Sequence, residues 1–436
     1  MTPLPGRRPI HTAYVGAHLF RARLAAEWGE LALKTLAECA PDVRALAAAL
    51  DFPVDERVFA RLKEKLRREP IEDLRIDFED GFGNRSDLEE DETARAAGAE
   101  VAAALARDGL PSFLGIRVKA LAAERAARAS RTLDLFVTSL VERSGGKLPA
   151  HLAVTLPKVA NLDEVTALVR LLEDLESRLR LEAGALTLEL MVETPRALLG
   201  PDGRCPLPAL VAAARGRCVG VHFGVYDYSA ALEIAPSHHR LRHPACDHAR
   251  RVMQVALAGT GVALSAGSTN MLPVAPRDHL IRAWRLHFQD VRHSLVSGFY
   301  HGWDLHPAQL VTRYSAAYGF YRECLESTVG AVLEDPAVRG VRLTTGEAPL
   351  LQHVGHESDE GRIAVHAPAE FLHGHRALEG VQRLDERRRD AQPLRELLRL
   401  PDDVPDQLEE AVGDLPGLLL RDGLIGHGRY SWSWLC

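Results

Sequence analysis

The sequence predicts an α/β fold, a (β/α)8 TIM barrel with a C-terminal helical appendage, and three observations carry that expectation. Short apolar runs of strand length alternate with helical patterns from residue 11 to about residue 320. Eight such runs occur, and several are apolar at successive positions, as strands covered on both faces require. Charged residues stand just after several of them, where the rim of a parallel barrel carries its chemistry.

In order, the expected strands are 11–15, 74–78, 112–118, 151–156, 186–192, 218–223, 262–266 and 298–304. Between them lie helices. Segment 162–181 sets Leu162, Val165, Leu168, Val169, Leu172, Leu175 and Leu179 at helical spacing. Asp163 and Glu164 near its start suit the positive end of the helix dipole. Segments 246–257 and 279–295 read as further helices, and 314–332 as another. This pattern gives a barrel catalytic domain over 1–325. A doubly wound open sheet is the alternative, but no GxGxxG turn follows the first strand. Gly81-Phe82-Gly83 is too short to count as one. After about residue 325 the pattern changes: a strand at 338–345, a polar stretch at 355–362, a charged helix at 385–399 and a loop at 401–406. Residues 326–436 are therefore expected to form an appendage, a lid or a subunit contact. No internal repeat stands out.

The chain has 436 residues, 46% of them hydrophobic, enough for a large core. Its net charge of −7 gives no support to a nucleic-acid partner. The basic stretch Arg61–Arg68 is interleaved with Glu64, which suits a solvated helix face. Six cysteines are scattered without a CxxC pair, and no secretory leader is visible. Free thiols in a reducing cytoplasm are expected, and a structural zinc site is not. No apolar run approaches the roughly 20 residues that cross a membrane.

Several residues could carry chemistry. Glu193 and Asp227 each follow an apolar run, and two hard oxygen ligands at a barrel rim suggest a magnesium-type ion that also holds substrate. In Ile76-Asp77-Phe78-Glu79-Asp80-Gly81, strand alternation puts Asp77 and Glu79 on one face. Two acids inside a barrel need a cation or donors; the plain alternative is a solvated turn ending in Gly81. Arg117, flanked by apolar residues, needs a carboxylate partner if buried, and its fork also suits a substrate carboxylate or enolate. Lys158 after the fourth strand could form a Schiff base, or hold the neighbouring carboxylates. His238, His239, His243 and His248 cluster without metal-ligand spacing and read as loop histidines. His222, His301 and His306, at strand ends, are better placed to orient substrate or move a proton.

The chain resembles the citrate lyase beta subunit and its relatives, the malyl- and citramalyl-CoA lyases and class II 2-keto-acid aldolases, and more distantly the malate synthases. The blocks that carry the likeness are Asp77-Phe78-Glu79-Asp80, Gly115-Ile116-Arg117, Leu156-Pro157-Lys158-Val159, Val192-Glu193-Thr194-Pro195-Arg196, Phe223-Gly224-Val225-Tyr226-Asp227-Tyr228 and Trp303-Asp304-Leu305-His306-Pro307-Ala308-Gln309-Leu310. They stand in the family's order. The resemblance implies a barrel of the phosphoenolpyruvate/pyruvate type and Mg²⁺ as cofactor, bound by Glu193 and Asp227. It assigns Arg117 to substrate oxygens, and Asp77 and Glu79 to the waters around the metal. Thr194 and Pro195 follow the metal ligand at a helix start. The departures are the 34 positions from Glu193 to Asp227, an inserted segment at 201–206, Tyr14-Val15-Gly16-Ala17 at the first strand end, and Asp304 where an apolar residue is common.

Together these give a Mg²⁺-dependent carbon–carbon lyase, of aldolase or acyl-CoA lyase type. It would act through a metal-stabilised enolate of a 2-keto acid or 3-hydroxyacyl compound. Arg117, Asp77, Glu79, Lys158, Asp304 and His306 are the candidate catalytic residues, with Thr194, Pro195 and His222 beside the substrate. A small-molecule keto acid or acyl thioester is the expected partner, with neither nucleic acid nor membrane, in a homo-oligomer by analogy with other barrel enzymes. The alternatives are a phosphoenolpyruvate-using phosphotransferase, for which no P-loop is seen, and a non-catalytic subunit that binds a small acid.

Overall fold

The strands and helices alternate as the apolar spacing demands, and in the computed structural model they close on themselves. Described residues are 7–107, 109–122, 124–334, 342–344 and 364–366. The chain divides into two units, Met1–Gly319 and Phe320–Cys436.

The first unit carries eight parallel strands: β1 (His11–Gly16), β2 (Asp73–Asp77), β3 (Phe113–Arg117), β4 (Leu152–Leu156), β5 (Thr187–Val192), β6 (Cys218–Phe223), β7 (Ala263–Ser265) and β8 (Gly302–Asp304). Neighbours in the sheet run β7-β6-β5-β4-β3-β2-β1-β8. The two ends meet: Ser265 bridges His301, Ala266 N donates to His301 O at 2.8 Å and Trp303 N to Gly267 O at 2.8 Å. The sheet is therefore a (β/α)8 barrel and not an open doubly wound sheet, because its last strands pair with its first. The expected strand 298–304 begins only at Gly302. Gly298, at φ +82°, instead ends a helix whose carbonyls accept from Gly298 N and Phe299 N.

Eleven helices are described: α1 (Leu24–Cys39), α2 (Val43–Leu50), α3 (Glu56–Arg68), α4 (Asp87–Leu105), α5 (Ala126–Ser144), α6 (Leu162–Leu179), α7 (Leu207–Ala213), α8 (Val225–Ala231), α9 (Pro244–Leu257), α10 (Arg277–Val296) and α11 (Gln309–Glu334). Helix α6 shows why they form. Asn161 accepts from Glu164 N at 3.1 Å, and Glu164 reaches back to Ala160 N at 2.8 Å, so two orphan donors are satisfied. Its Val165, Leu168, Val169, Leu172 and Leu175 are buried, each contributing about 1.5–3 kcal/mol. Between β1 and β2 run three helices rather than one. Asp42 and Asp55 start α2 and α3 by accepting from Ala45 N and Val58 N, both at 2.8 Å. Among the described residues no helix is long and apolar enough to cross a membrane. Cys39, Cys205, Cys218, Cys246 and Cys324 are free thiols, and Cys436 lies outside the described residues.

In the second unit, β9 (Arg342–Thr344) pairs antiparallel with β10 (Ala364–His366). The expected polar stretch 355–362, helix 385–399 and loop 401–406 lie outside the described residues.

The barrel interior is polar for most of its depth. Arg75 on β2 donates to Glu189 on β5 through Nε at 3.0 Å and Nη2 at 2.5 Å, and to the Thr155 hydroxyl at 3.1 Å. A pairing across three strands shows that β2 turns Asp73, Arg75 and Asp77 inward. Gly115 on β3 makes room, since a Cβ there would lie 2.8 Å from Arg75 Nε. Near the lower end, the Thr12 hydroxyl donates to Asp73 at 2.8 Å and contacts His301 Nε2 at 2.8 Å. Removing one member of such a buried ion pair costs about 3–5 kcal/mol, because the other is left uncompensated.

Candidate active site

At the C-terminal ends of β2 to β6, six of the expected residues come together. Asp77 ends β2 and holds the turn that follows: its carboxylate accepts from Glu79 N at 2.9 Å and Gly81 N at 2.8 Å. The same carboxylate takes Arg117 Nε at 2.7 Å and Nη2 at 2.5 Å, a bidentate fork between adjacent strands. With one edge fixed, Arg117 turns Nη1 towards Asp80 at 3.2 Å, Glu79 at 3.7 Å and Glu193 at 4.0 Å. The solvated-turn alternative for Asp77 and Glu79 is excluded, since both are buried.

Lys158, just past β4, adopts φ +52°, a left-handed conformation that costs a lysine about 1–2 kcal/mol. It thereby sets its ammonium among four carboxylates: Glu79 at 2.6 Å, Asp227 at 3.0 Å, Asp80 at 3.2 Å and Glu193 at 3.9 Å. Burial alone would lower its pKa, but Glu193, Glu79 and Asp80 outweigh that and raise it above the ordinary lysine value. Four carboxylates within 3.9 Å of one ammonium favour the second of the two roles expected for Lys158, that of holding the carboxylates.

Glu193 ends the β5 run and is 2% exposed. Its Oε2 is buried without a hydrogen-bond partner. Burial pushes its carboxyl up to about 8, against the pull of Arg117 and Lys158 and helped by the like charges of Asp227 and Glu79. Gly224 lies so close that a Cβ there would fall 2.2 Å from Glu193 Cγ. Asp227, in the first turn of α8 with its side chain 46% exposed, supplies the second carboxylate. Five acids, Asp77, Glu79, Asp80, Glu193 and Asp227, thus face two cations. Among the described residues no group of three or more His, Cys, Asp or Glu is arranged to hold a metal. Two carboxylates, an unpartnered oxygen and excess negative charge nevertheless fit Mg²⁺, which keeps several waters and needs only one or two protein carboxylates.

The remaining expected residues stand elsewhere. Thr194 leads into a single 3-10 turn, Pro195–Ala197, beside Glu193, rather than into a full helix. The Thr194 hydroxyl donates to Val159 O at a long 3.5 Å. His222 lies one layer below the rim with both ring nitrogens engaged by protein. His306 Nδ1 accepts from Ala308 N at 3.2 Å at the start of α11, and burial lowers its pKa. Asp304 faces outward from β8, against the helices. It meets His11 at 2.6 Å, His287 at 3.1 Å and Arg313 at 3.0 Å, and is buried completely. Asp304 is thus spoken for by a structural network outside the barrel wall, on the face opposite to the cluster. Among the loop histidines, His239 Nε2 contacts Ile234 O at 2.6 Å and His243 accepts from Ala245 N at 3.2 Å, so both serve local turns.

The sequence reading gave no role to Tyr14, Met191 or Trp303, which form the layer beneath Arg117. The Arg117 guanidinium lies 5.1 Å from the centre of the Tyr14 ring. Its Nη1 is also 3.6 Å from Met191 Sδ. Alternation along β1 could have found Tyr14, since it shares a face with Thr12.

A family model described as "Domain of unknown function (DUF6986)" matches residues 3–334. No curated protein matches the chain. Among solved structures, Haloferax volcanii malate synthase at 3 mM glyoxylate is 13% identical, over 75% of this chain and 85% of that one, with a TM-score of 0.47. Its magnesium/glyoxylate complex is 12% identical, over 95% and 97%, with a TM-score of 0.47. CitE of Mycobacterium tuberculosis with magnesium, acetoacetate and coenzyme A is 19% identical, over 75% and 89%, with a TM-score of 0.39.

Proposed function

For a chain that belongs to the DUF6986 family, a domain of unknown function, we propose a Mg²⁺-dependent carbon–carbon lyase that acts on a 2-keto acid or 3-hydroxyacyl compound. The observation that carries it is the buried, unpartnered Glu193 Oε2, 3.9 Å from the Lys158 ammonium that also holds Asp227 at 3.0 Å, with Arg117 Nη1 4.0 Å from the other Glu193 oxygen. Glu193 and Asp227 would hold the ion. When bound, Mg²⁺ supplies positive charge beside the substrate oxygens and lowers the cost of an enolate.

The chain's own residues do the rest. Asp77 fixes one edge of Arg117, and Nη1 on the other edge, which pairs with the exposed Asp80 at 3.2 Å, would exchange that carboxylate for the carbonyl oxygen of the substrate. As the carbon–carbon bond breaks, its electron pair moves onto that oxygen, and Arg117 donates to the growing charge. The hydroxyl of the departing fragment becomes a carbonyl and its proton passes to solvent. Glu79 and Lys158 keep the carboxylates apart and oriented.

The test is deuterium exchange into the methyl group of pyruvate in D2O, followed by proton NMR, with and without Mg²⁺. Exchange that requires Mg²⁺ is expected in the wild type and lost in Glu193→Gln and Asp227→Asn. Mg²⁺ at a hundred times its Kd should stabilise the wild type by about 2.7 kcal/mol and neither variant. An unfolding midpoint indifferent to Mg²⁺, with no exchange, would sink the proposal.

A further inference from the structure

His222 stands at the end of β6, where a histidine is expected to touch substrate, yet its ring is 1% exposed. The Trp303 indole Nε1 donates to His222 Nδ1 at 2.8 Å. An indole nitrogen can only donate, so Nδ1 must carry the lone pair and the hydrogen sits on Nε2. Nε2 lies 3.1 Å from Glu189 Oε2 and donates to it. Glu189 is itself immobile: Arg75 grips both its oxygens, and the Thr155 hydroxyl donates to Oε2 at 2.9 Å. A rigid ion pair at the centre of the barrel therefore fixes the tautomer of His222, and His222 fixes the indole of Trp303.

The indole in turn carries the arginine. Trp303 packs 4.7 Å from Tyr14 at a tilt of 36°. Tyr14 and His222 meet edge to face at 6.4 Å. Over the Tyr14 face lies Arg117, which Asp77 grips at one edge and Met191 Sδ meets at 3.6 Å. Strands β1, β5, β6 and β8 thus converge on one aromatic platform beneath one guanidinium.

We propose that His222 is a positioning residue for Arg117: its Nδ1 lone pair locks Trp303, and through Tyr14 this sets the angle at which the guanidinium meets a substrate oxygen. The inference rests on the reading of Arg117 as the group that binds substrate oxygens. It assigns His222 no proton transfer and no substrate contact.

The experiment uses the full chain, with oxalate as the probe. Calorimetry in saturating Mg²⁺ would compare wild type with Trp303→Phe, which keeps a ring and deletes the N–H. It would add His222→Leu and His222→Asn, whose Oδ1 replaces the Nδ1 acceptor. Oxalate affinity should fall about tenfold in Trp303→Phe and His222→Leu, the worth of one hydrogen bond. It should stay within about threefold of wild type in His222→Asn. Mg²⁺ affinity should be the same in all four proteins. A purely structural role would lower the unfolding midpoints and leave the affinity of the folded protein alone. Unchanged oxalate affinity in Trp303→Phe, or His222→Asn no better than His222→Leu, would overturn the inference. If the wild type binds no oxalate, the functional reading fails separately. The positioning role is then judged in ligand-free protein from the Arg117 Nε–H signal in ¹⁵N NMR. Its exchange with solvent should quicken about tenfold in Trp303→Phe and not in His222→Asn, and equal rates would overturn it.

Discussion

The proposed function asks Arg117 to do two things, to neutralise Asp77 and to bind substrate, and a double-mutant cycle separates them. In Arg117→Met, the Asp77 carboxylate keeps its two backbone donors but loses its bidentate cation. Both residues are buried, at 4% and 2% exposed, so solvent cannot take over. The single variant should lose about 3–5 kcal/mol of stability, the usual result of stranding one member of a buried pair. Arg117→Met with Asp77→Asn removes both charges and should regain at least half of that loss. Full recovery is not expected, because Glu79 and Glu193 also lie within 4.0 Å of the Arg117 guanidinium. Oxalate binding should behave differently. It should weaken at least about a hundredfold in the single and the double variant alike, since two charge-assisted hydrogen bonds are gone in both. Urea unfolding gives the first quantity and calorimetry in Mg²⁺ the second. A double variant no more stable than the single, or one that binds oxalate like wild type, would refute the division of labour.

Gly224→Ala should keep the fold but push Glu193 from its place, because the new Cβ would lie 2.2 Å from Glu193 Cγ; at least tenfold weaker Mg²⁺ binding by calorimetry is expected, on the scale of a ligand displaced by a fraction of an ångström. Borohydride added with pyruvate should leave Lys158 unmodified by mass spectrometry, since its amine is held charged by Glu193, Glu79 and Asp80; a reduced adduct at Lys158 would reverse that reading. Glu72 offers a test by pH. Burial raises its carboxyl, but Lys65, Arg7 and His11 outweigh that and hold it at about 2. A depressed acid contributes stability above its unfolded pKa and loses it as pH falls through the folded value. Wild type should therefore exceed Glu72→Gln by about 3 kcal/mol at pH 7, and the gap should close between about pH 4.5 and pH 2. A gap in urea unfolding that does not change with pH would contradict the ion pair.

Most of the rim cluster of charged residues was legible because charged residues that follow apolar strand runs have few places to go. Asp77, Glu79, Arg117, Lys158, Glu193 and Asp227 all lie at strand ends, and a parallel barrel gathers such ends on one rim. Asp304 broke the rule. It ends β8 as the others end theirs, but a strand's side chains alternate between faces, and one residue of register turns it outward to His11, His287 and Arg313. His222 shows the complementary limit. Its position along β6 was plain, yet its depth in the barrel and the engagement of both its nitrogens depend on Trp303 and Glu189, 81 and 33 positions away.

By itself the sequence determined the order of the eight strands and of the helices with a clear apolar period, since apolar period and capping residues act locally. It also determined which charged residues reach a strand end. Tertiary structure alone decided which of them face one another. Closure of the sheet from Ser265 to His301 turned a series of strand ends into a ring, and the ring's curvature brought Arg75 to Glu189 and Lys158 to Asp227. Contacts between residues far apart along the chain follow from how a sheet twists and closes, and no local pattern records that geometry.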